Sequence, residues 1–168
     1  MVDELRDILH AEKQLTKALP QMAKAARFDQ LRELFEQHLV ETEMQIARIN
    51  ECFSLLGETA RAKPCKGMMG LVEEGQEVMA KGEKKVNDAA ADLALIGAAQ
   101  RVEHYEISGY TTARNLASQL RHSAISALLS QSLGEEENAD QLLNQVARSL
   151  MSVARMPAVV EQVTTEDE

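Results

Sequence analysis

The sequence predicts an all-α protein in which four long helices form one bundle. Apolar residues recur at intervals of three and four through most of the 168 residues, which is the helical period, and the alternation typical of strands is missing. The content of 45% hydrophobic and 27% charged residues is typical of a globular domain that is large enough to bury a core. One internal stretch, residues 57–86, interrupts the helical pattern with five of the eight glycines.

The first two helices are predicted to be neighbours joined by a short turn. The first spans about Val2 to Arg27, and Pro20 is expected to kink it. The second begins after Phe28, with Asp29 as a candidate N-cap, and ends at Gly57, a residue suited to a left-handed C-cap. The apolar stripe of the first helix consists of Leu5, Ile8, Leu15, Leu19 and Met22.

A long connection follows the second helix. Within it, Met68 to Met79 is predicted to form one short helix. The third long helix then opens at Asn87 or Asp88 and reaches about Ala117.

The fourth long helix is predicted to follow a turn at residues 119–122. Ser123 is a candidate N-cap for it, and the helix ends near Met151. We expect residues 1–152 to form the bundle and residues 153–168 to be a disordered acidic tail.

The lengths of the connections predict the topology. Short turns make antiparallel neighbours, whereas a long connection lets the chain cross the bundle. A single crossover between the second and third long helices is the ferritin-like arrangement. A plain up-down bundle with an extended middle loop is the alternative.

Charge and composition exclude several classes of function. The net charge of −9 argues against nucleic-acid binding, which relies on clustered Lys and Arg. No run approaches the roughly 20 apolar residues of a membrane span, and the N-terminus has no apolar signal core. Cys52 and Cys65 show no metal-ligand or disulfide spacing, which favours a reduced, cytoplasmic protein. We expect Cys52 to be a core thiol and Cys65 to be exposed in the long connection.

Acidic and polar residues interrupt the apolar stripe of each long helix. A lone buried carboxylate is very costly, so each of these groups must be paired, protonated, metal-bound or exposed. Two pairs, Glu12 with Gln45 and Glu103 with Glu136, are each 33 positions apart across a short turn, which predicts that they meet at one level of the bundle. The interrupting residues are Glu12, Glu41, Gln45, Glu103, Glu106, Glu136 and Asp140.

Five ordered segments of the chain carry a resemblance to a known family. They read HAEKQLTKALPQMA, HLVETEMQIARI, GLVEEGQEV, AAQRVEHYEISGY and SLGEEENADQLL. Together they resemble the YciE/YciF family of bacterial ferritin-like proteins, and the YciE branch in particular, over about Asp3 to Leu150. The resemblance implies a ferritin-like bundle with a dinuclear metal site and a link to stress responses. It implies no established activity.

The ligand pattern departs from the ferritin-like one, which has a Glu on two helices and Glu-x-x-His on the other two. The resemblance implies that Glu12, Glu41, Glu103 and Glu136 are carboxylate ligands. Where histidines are expected, this chain has Met44 and Ala139, which are followed directly by Gln45 and Asp140. Glu106 is an additional acid. Glu137 with Asp140 is an alternative register on the fourth helix.

Three further polar side chains near the predicted site are not assigned as metal ligands. His38 either orients Glu41 from outside the ligand set or lies partly exposed. His104 is expected at the surface or at an interface. Tyr110 is either a core tyrosine or a hydrogen-bond donor to one of the acids.

A ligand set dominated by oxygen suits iron or manganese, with magnesium or calcium as other candidates. The sequence therefore predicts a protein that binds metal ions and handles iron, oxygen or peroxide, and that associates as a homodimer. The alternative is a non-enzymatic structural or interaction protein whose acids are protonated, hydrogen-bonded to one another and free of metal. An iron-storage cage is less expected, because no further helix follows the fourth.

Overall fold

A computed structural model describes residues 1–83 and 87–154. In this part of the chain there are five helices and no strand, which confirms the all-α prediction. The helices are α1 (Val2–Ala25), α2 (Asp29–Leu56), α3 (Lys66–Gly82), α4 (Asp88–Gln119) and α5 (Ser123–Ala154). None of these described helices combines the length and the hydropathy needed to cross a membrane.

The four long helices pack as antiparallel neighbours. The end of α1 lies against the start of α4, because the Arg27 backbone N–H donates to Asp92 at 3.0 Å. The start of α1 lies near the middle of α4, where the Tyr105 hydroxyl donates to Asp7 at 2.9 Å. A turn of three residues joins α1 to α2, and another of the same length joins α4 to α5, so both of these pairs are helical hairpins.

The connection between α2 and α4 runs the length of the bundle. It begins beside the start of α1, where the Lys63 N–H donates to the Arg6 carbonyl oxygen at 3.0 Å. The short helix α3 then packs along α1 and α4 to the opposite end, where Arg27 donates to the Gly82 carbonyl oxygen at 2.7 Å. This crossover makes α2 and α4 parallel, so the ferritin-like topology is confirmed and the up-down alternative is wrong.

Most of the predicted helix ends agree with the structure. Gly57 adopts the left-handed conformation with φ 66°, and Asn87 accepts the Ala90 N–H at 3.0 Å as an N-cap. Asp29 is not the N-cap but the first helical residue, and its carboxylate instead pairs with Arg32 at 2.6 Å. Helix α1 continues past Pro20. Proline has no N–H to donate to the carbonyl oxygen four residues earlier, but this part of the helix is exposed at Pro20, so that oxygen can bind water instead.

Other limits shift by a few residues. Helix α3 is longer than predicted, and Ser123 is the first residue of α5 rather than a cap before it. Helix α5 also covers residues 153–154, which the sequence assigned to the tail. The remainder of the predicted tail lies outside the described residues.

The apolar core has two parts, one on each side of a layer of buried polar residues. One part includes Leu15, Phe35 and Ile96, and the other includes Leu9, Ile49 and Leu129. Each long helix passes from one apolar cluster to the other through at least one buried polar residue. We call these residues the polar layer: Glu12, His38, Thr42, Gln45, Glu103, Glu106 and Glu136.

The prediction that Cys65 is exposed is wrong, because its side chain is fully buried. Cys65 is the N-cap of α3, and its Sγ accepts the Met68 N–H at 3.4 Å and contacts the Tyr105 hydroxyl at 3.0 Å. The crossover is therefore attached to the bundle through this thiol. Cys52 is buried in the core as expected.

Replacing Gly67 by Ala should destabilise the protein by about 1–3 kcal/mol, because a methyl group there would lie 2.5 Å from Tyr105 Cε2. The ring cannot move aside without losing its contacts with Asp7 and Cys65. Gly70→Ala is the matched control in the same helix. Nothing lies within 4 Å of that position, so this change should stabilise by roughly 0.5–1 kcal/mol. Urea unfolding of both variants measures the difference, and equal effects would contradict the close packing of Gly67.

Candidate metal centre

Every residue of the polar layer is at most 2% exposed. Four of them, Glu12, Glu103, Glu106 and Glu136, are carboxylic acids from α1, α4 and α5. The structure therefore brings these four predicted ligands to one level of the bundle. Their burial side by side has a large electrostatic cost unless protons or cations neutralise them.

His38 lies at the centre of the layer. Potential ligand atoms of His38, Glu103, Glu106 and Glu136 are all within 4.8 Å of one another. Its Nε2 is 3.3 Å from Glu103 Oε2 and 3.5 Å from Glu136 Oε2, while its Nδ1 is 3.4 Å from Glu41 Oε2.

The sequence predicted that His38 either orients Glu41 from outside the ligand set or is partly exposed, whereas the structure places it at the centre of the layer. The α2 helix thus provides a nitrogen atom that could bind a metal, but from three residues before Glu41 instead of three residues after it. The signal was available, because His38 shares one face of α2 with Glu41 and Gln45.

Tyr110 orients the carboxylate of Glu12. Its buried hydroxyl donates a hydrogen bond to Glu12 Oε1, while Glu12 Oε2 has no partner. Tyr110 is thus both a core residue and a donor to one of the interior acids, which combines the two interpretations of the sequence.

An ion pair closes one side of the polar layer. Arg48 donates to both carboxylate oxygens of Glu135, at 2.6 and 2.7 Å, and to Ser132 Oγ at 2.9 Å. Gln45 Nε2 donates to Glu136 and also to Glu135, the latter at 3.2 Å. Glu135 is thereby held outside the carboxylate cluster. Sequence reasoning missed Arg48, although it follows Gln45 by three positions and so faces inward.

Two predicted ligands lie at the rim of the layer. The side chain of Glu41 is 20% exposed and accepts a hydrogen bond from Gln37 at 3.2 Å in addition to its contact with His38. Asp140 accepts from Gln100 at 2.9 Å and lies 3.4 Å from the exposed His104. The side-chain partners of Asp140 thus lie outside the polar layer.

The structure also distinguishes the two registers on α5. Glu136 is fully buried in the layer, whereas Glu137 is exposed. Since the two residues are about 100° apart around the helix, only one of them can face the interior. The Glu136 register is the one that the structure shows.

The polar layer contains a concentration of unpaired polar atoms. Among the described residues, all buried side-chain N and O atoms without a hydrogen-bond partner belong to this layer, except for Arg6 Nε. Buried polar groups in folded proteins are nearly always paired, so these atoms are the ones that bound protons, water or a cation would satisfy. The atoms are Glu12 Oε2, His38 Nε2, Thr42 Oγ1, Gln45 Oε1, Glu103 Oε2, both oxygens of Glu106, and Glu136 Oε2.

Residues 1–155 match the family described as "Domain of unknown function (DUF892)". The chain belongs to this family. It is also 42% identical to protein YciF of Escherichia coli strain K12 over 144 residues, which covers 85% of each chain. This relationship supports a YciE/YciF-type family, whereas assignment to the YciE branch stays a prediction.

Two solved structures of similar proteins share the bundle. The crystal structure of the E. coli stress protein YciF superposes with a TM-score of 0.84 and 38% identity, covering 90% of this chain and 94% of that one. YcfI of Rhodopseudomonas palustris, described as a candidate structural protein, superposes with a TM-score of 0.81 and 38% identity, covering 87% and 91%. The helical bundle of this DUF892 protein is therefore shared with relatives that include a stress protein.

The electrostatics of the layer in this DUF892 protein favour bound protons when no cation is present. Burial raises the pKa of Glu12 to about 8, against the opposing effect of the hydrogen bond from Tyr110. Burial and the neighbouring carboxylates also raise the pKa values of Glu106 and Glu136 well above their usual range. Burial acts to lower the pKa of His38, but the charge of Glu103 and the bond to Glu41 outweigh it and raise this pKa to about 9.

The metal-free protein should lose stability as the pH rises from about 5 to 9. The pKa of Glu12 rises on folding from 4.5 to about 8, and that of His38 from 6.5 to about 9. In this window the folded state therefore binds more protons than the unfolded chain, so the free energy of unfolding decreases with pH. Thermal unfolding of chelator-treated protein at a series of pH values measures this slope.

The matched variant is Glu12→Gln, which keeps the shape but removes one of these titrations. Its melting temperature should fall less steeply between pH 5 and 8. A flat or rising melting temperature in the chelator-treated wild type would contradict the proton-binding state of the layer.

Proposed function

We propose that this protein binds two divalent metal ions in the polar layer. The observation that carries the proposal is the convergence of potential ligand atoms from His38, Glu103, Glu106 and Glu136, which all lie within 4.8 Å of one another. They lie in a compartment that has an apolar cluster on each side. Divalent cations would neutralise such a cluster of carboxylates, as bound protons do in the metal-free state.

The charge of the layer supports the number of ions. Its four carboxylates, when ionised, carry four negative charges, which two divalent cations would balance. His38 adds a nitrogen donor, while Gln45 and Tyr110 orient Glu136 and Glu12 by hydrogen bonds. Glu41 is a further ligand candidate at the rim, and Asp140 is the predicted ligand that the arrangement favours least.

The donor set indicates iron or manganese, since it is rich in oxygen and includes one imidazole, with magnesium or calcium as alternatives. Such ions would supply redox and Lewis-acid chemistry toward oxygen, peroxide or Fe(II). The residues of this chain would hold the ions at a fixed separation and keep bulk water away. The description of its relative YciF as a stress protein is consistent with a role in managing iron or peroxide.

We also propose that the protein acts in the cytoplasm as a homodimer. Both cysteines are free, as expected in a reducing compartment. Val40 and Met44 are 51% and 45% exposed and adjacent on one face of α2, which would suit a contact with a second copy.

A non-enzymatic structural function is the second candidate. It is favoured by the raised pKa values of Glu12 and Glu136, because protons can neutralise much of the layer without a metal. The description of YcfI as a candidate structural protein points the same way. Under this hypothesis the protein would neither oxidise Fe(II) nor consume peroxide, even after incubation with metal.

Glu136→Gln and Glu137→Gln form a matched pair that tests metal binding. The two changes are chemically identical and adjacent, but only Glu136 faces the polar layer. Titration calorimetry with Mn(II), and with Fe(II) under anaerobic conditions, should show about two ions per chain for the wild type and for Glu137→Gln. Glu136→Gln should weaken binding at least about 10-fold. Equal affinities for the two variants would place the metal elsewhere.

A further inference from the structure

A small cavity between α1 and α4 is lined both by residues at the surface and by one residue of the polar layer. It has a volume of about 110 Å³. Its outer part is bounded by the exposed Ser108 and the partly exposed Glu4 and Asp7. Its inner part is bounded by Glu106, which is 2% exposed and has two carboxylate oxygens without a partner.

The carboxyl groups that line this cavity have no basic residue among them in the part of the chain that the structure describes. Three of its lining residues are acids. The carboxylate of Asp7 is held in place by the hydroxyl of Tyr105, which also contacts Cys65 at the start of α3. The crossover thus fixes one of the outer carboxylates.

Small residues keep the cavity open. Gly109 and Ala11 lie on its walls, one on each helix. A methyl group at position 109 would lie 3.4 Å from Ile8 Cγ1, so a branched side chain there would occupy the space between α1 and α4.

A second cavity, of about 230 Å³, reaches the layer between α2 and α5. Two acids, Glu33 and Glu41, line it together with His38, which contacts Glu41 at 3.4 Å, and with apolar side chains on α2 and α5. The residue of the polar layer that this cavity reaches is therefore an imidazole already in contact with a carboxylate, whereas the first cavity reaches a carboxylate without a partner.

We propose that divalent cations reach the polar layer through the cavity between α1 and α4. Glu4 and Asp7 attract the ion at the surface, and Glu106 is the first interior ligand that it meets. This inference rests on the proposed metal binding and adds the path by which the ions arrive. Clefts lined by one sign of charge concentrate the opposite ion and accelerate its binding.

The rate of Co(II) uptake tests this path. The chain has two tyrosines and no tryptophan, so quenching of tyrosine fluorescence in a stopped-flow instrument can report the arrival of the ion. Ser108→Lys places a positive charge at the mouth of the cavity, and Gly109→Val narrows the cavity itself. Gln145→Lys places the same charge at the other cavity, on an exposed residue, and serves as the control.

Ser108→Lys should slow uptake about tenfold at low ionic strength, with a smaller effect at high salt and an unchanged number of bound ions. Gly109→Val should slow uptake at every salt concentration, and Gln145→Lys should bind like the wild type. Slower uptake by Gln145→Lys alone, or normal rates in both Ser108→Lys and Gly109→Val, would overturn the path while leaving metal binding intact. A wild type that binds no Co(II) would overturn both proposals.

Discussion

The structure depends on how the charge of four buried carboxylates and one imidazole is balanced at a single level of the bundle. Removing an ionised group from water costs several kcal/mol even in a relaxed protein interior, so these groups cannot stay together as unpaired ions. Protons are one solution, and they are reflected in the raised pKa values of Glu12 and His38. Divalent cations are the other, since potential ligand atoms of His38, Glu103, Glu106 and Glu136 lie within 4.8 Å of one another.

The rest of the fold keeps this layer in place. The crossover makes α2 and α4 parallel, so that His38 comes to lie beside Glu103, while α5 places Glu136 against Gln45. The ion pair of Arg48 and Glu135 neutralises the additional acid next to Glu136. Apolar clusters above and below exclude water, which strengthens every electrostatic interaction inside the layer.

Helix order, topology and the level of the acids could be predicted from the sequence, because turn lengths and the rise per residue are the same in most helical bundles. The rotation of each helix about its axis was harder to predict. His38, Glu41 and Gln45 share one broad face of α2, and only the packing of α4 and α5 shows that His38 is central and Glu41 is at the rim. The same rotation decides that Asp140 lies beside Gln100 and His104. The burial of Cys65 depends on how α3 packs against Tyr105, a long-range contact that no local pattern reveals.

The most direct test of the central claim is the anomalous scattering of crystals soaked in Mn(II). Two peaks are expected between the four long helices, with His38 as a ligand to one of the ions and carboxylate oxygens as ligands to both. Those carboxylates should come from Glu12, Glu103, Glu106 and Glu136. Crystals with no peak in the polar layer, or with manganese only at exposed acids such as Glu137, would contradict it and leave a bundle whose interior acids are neutralised by protons.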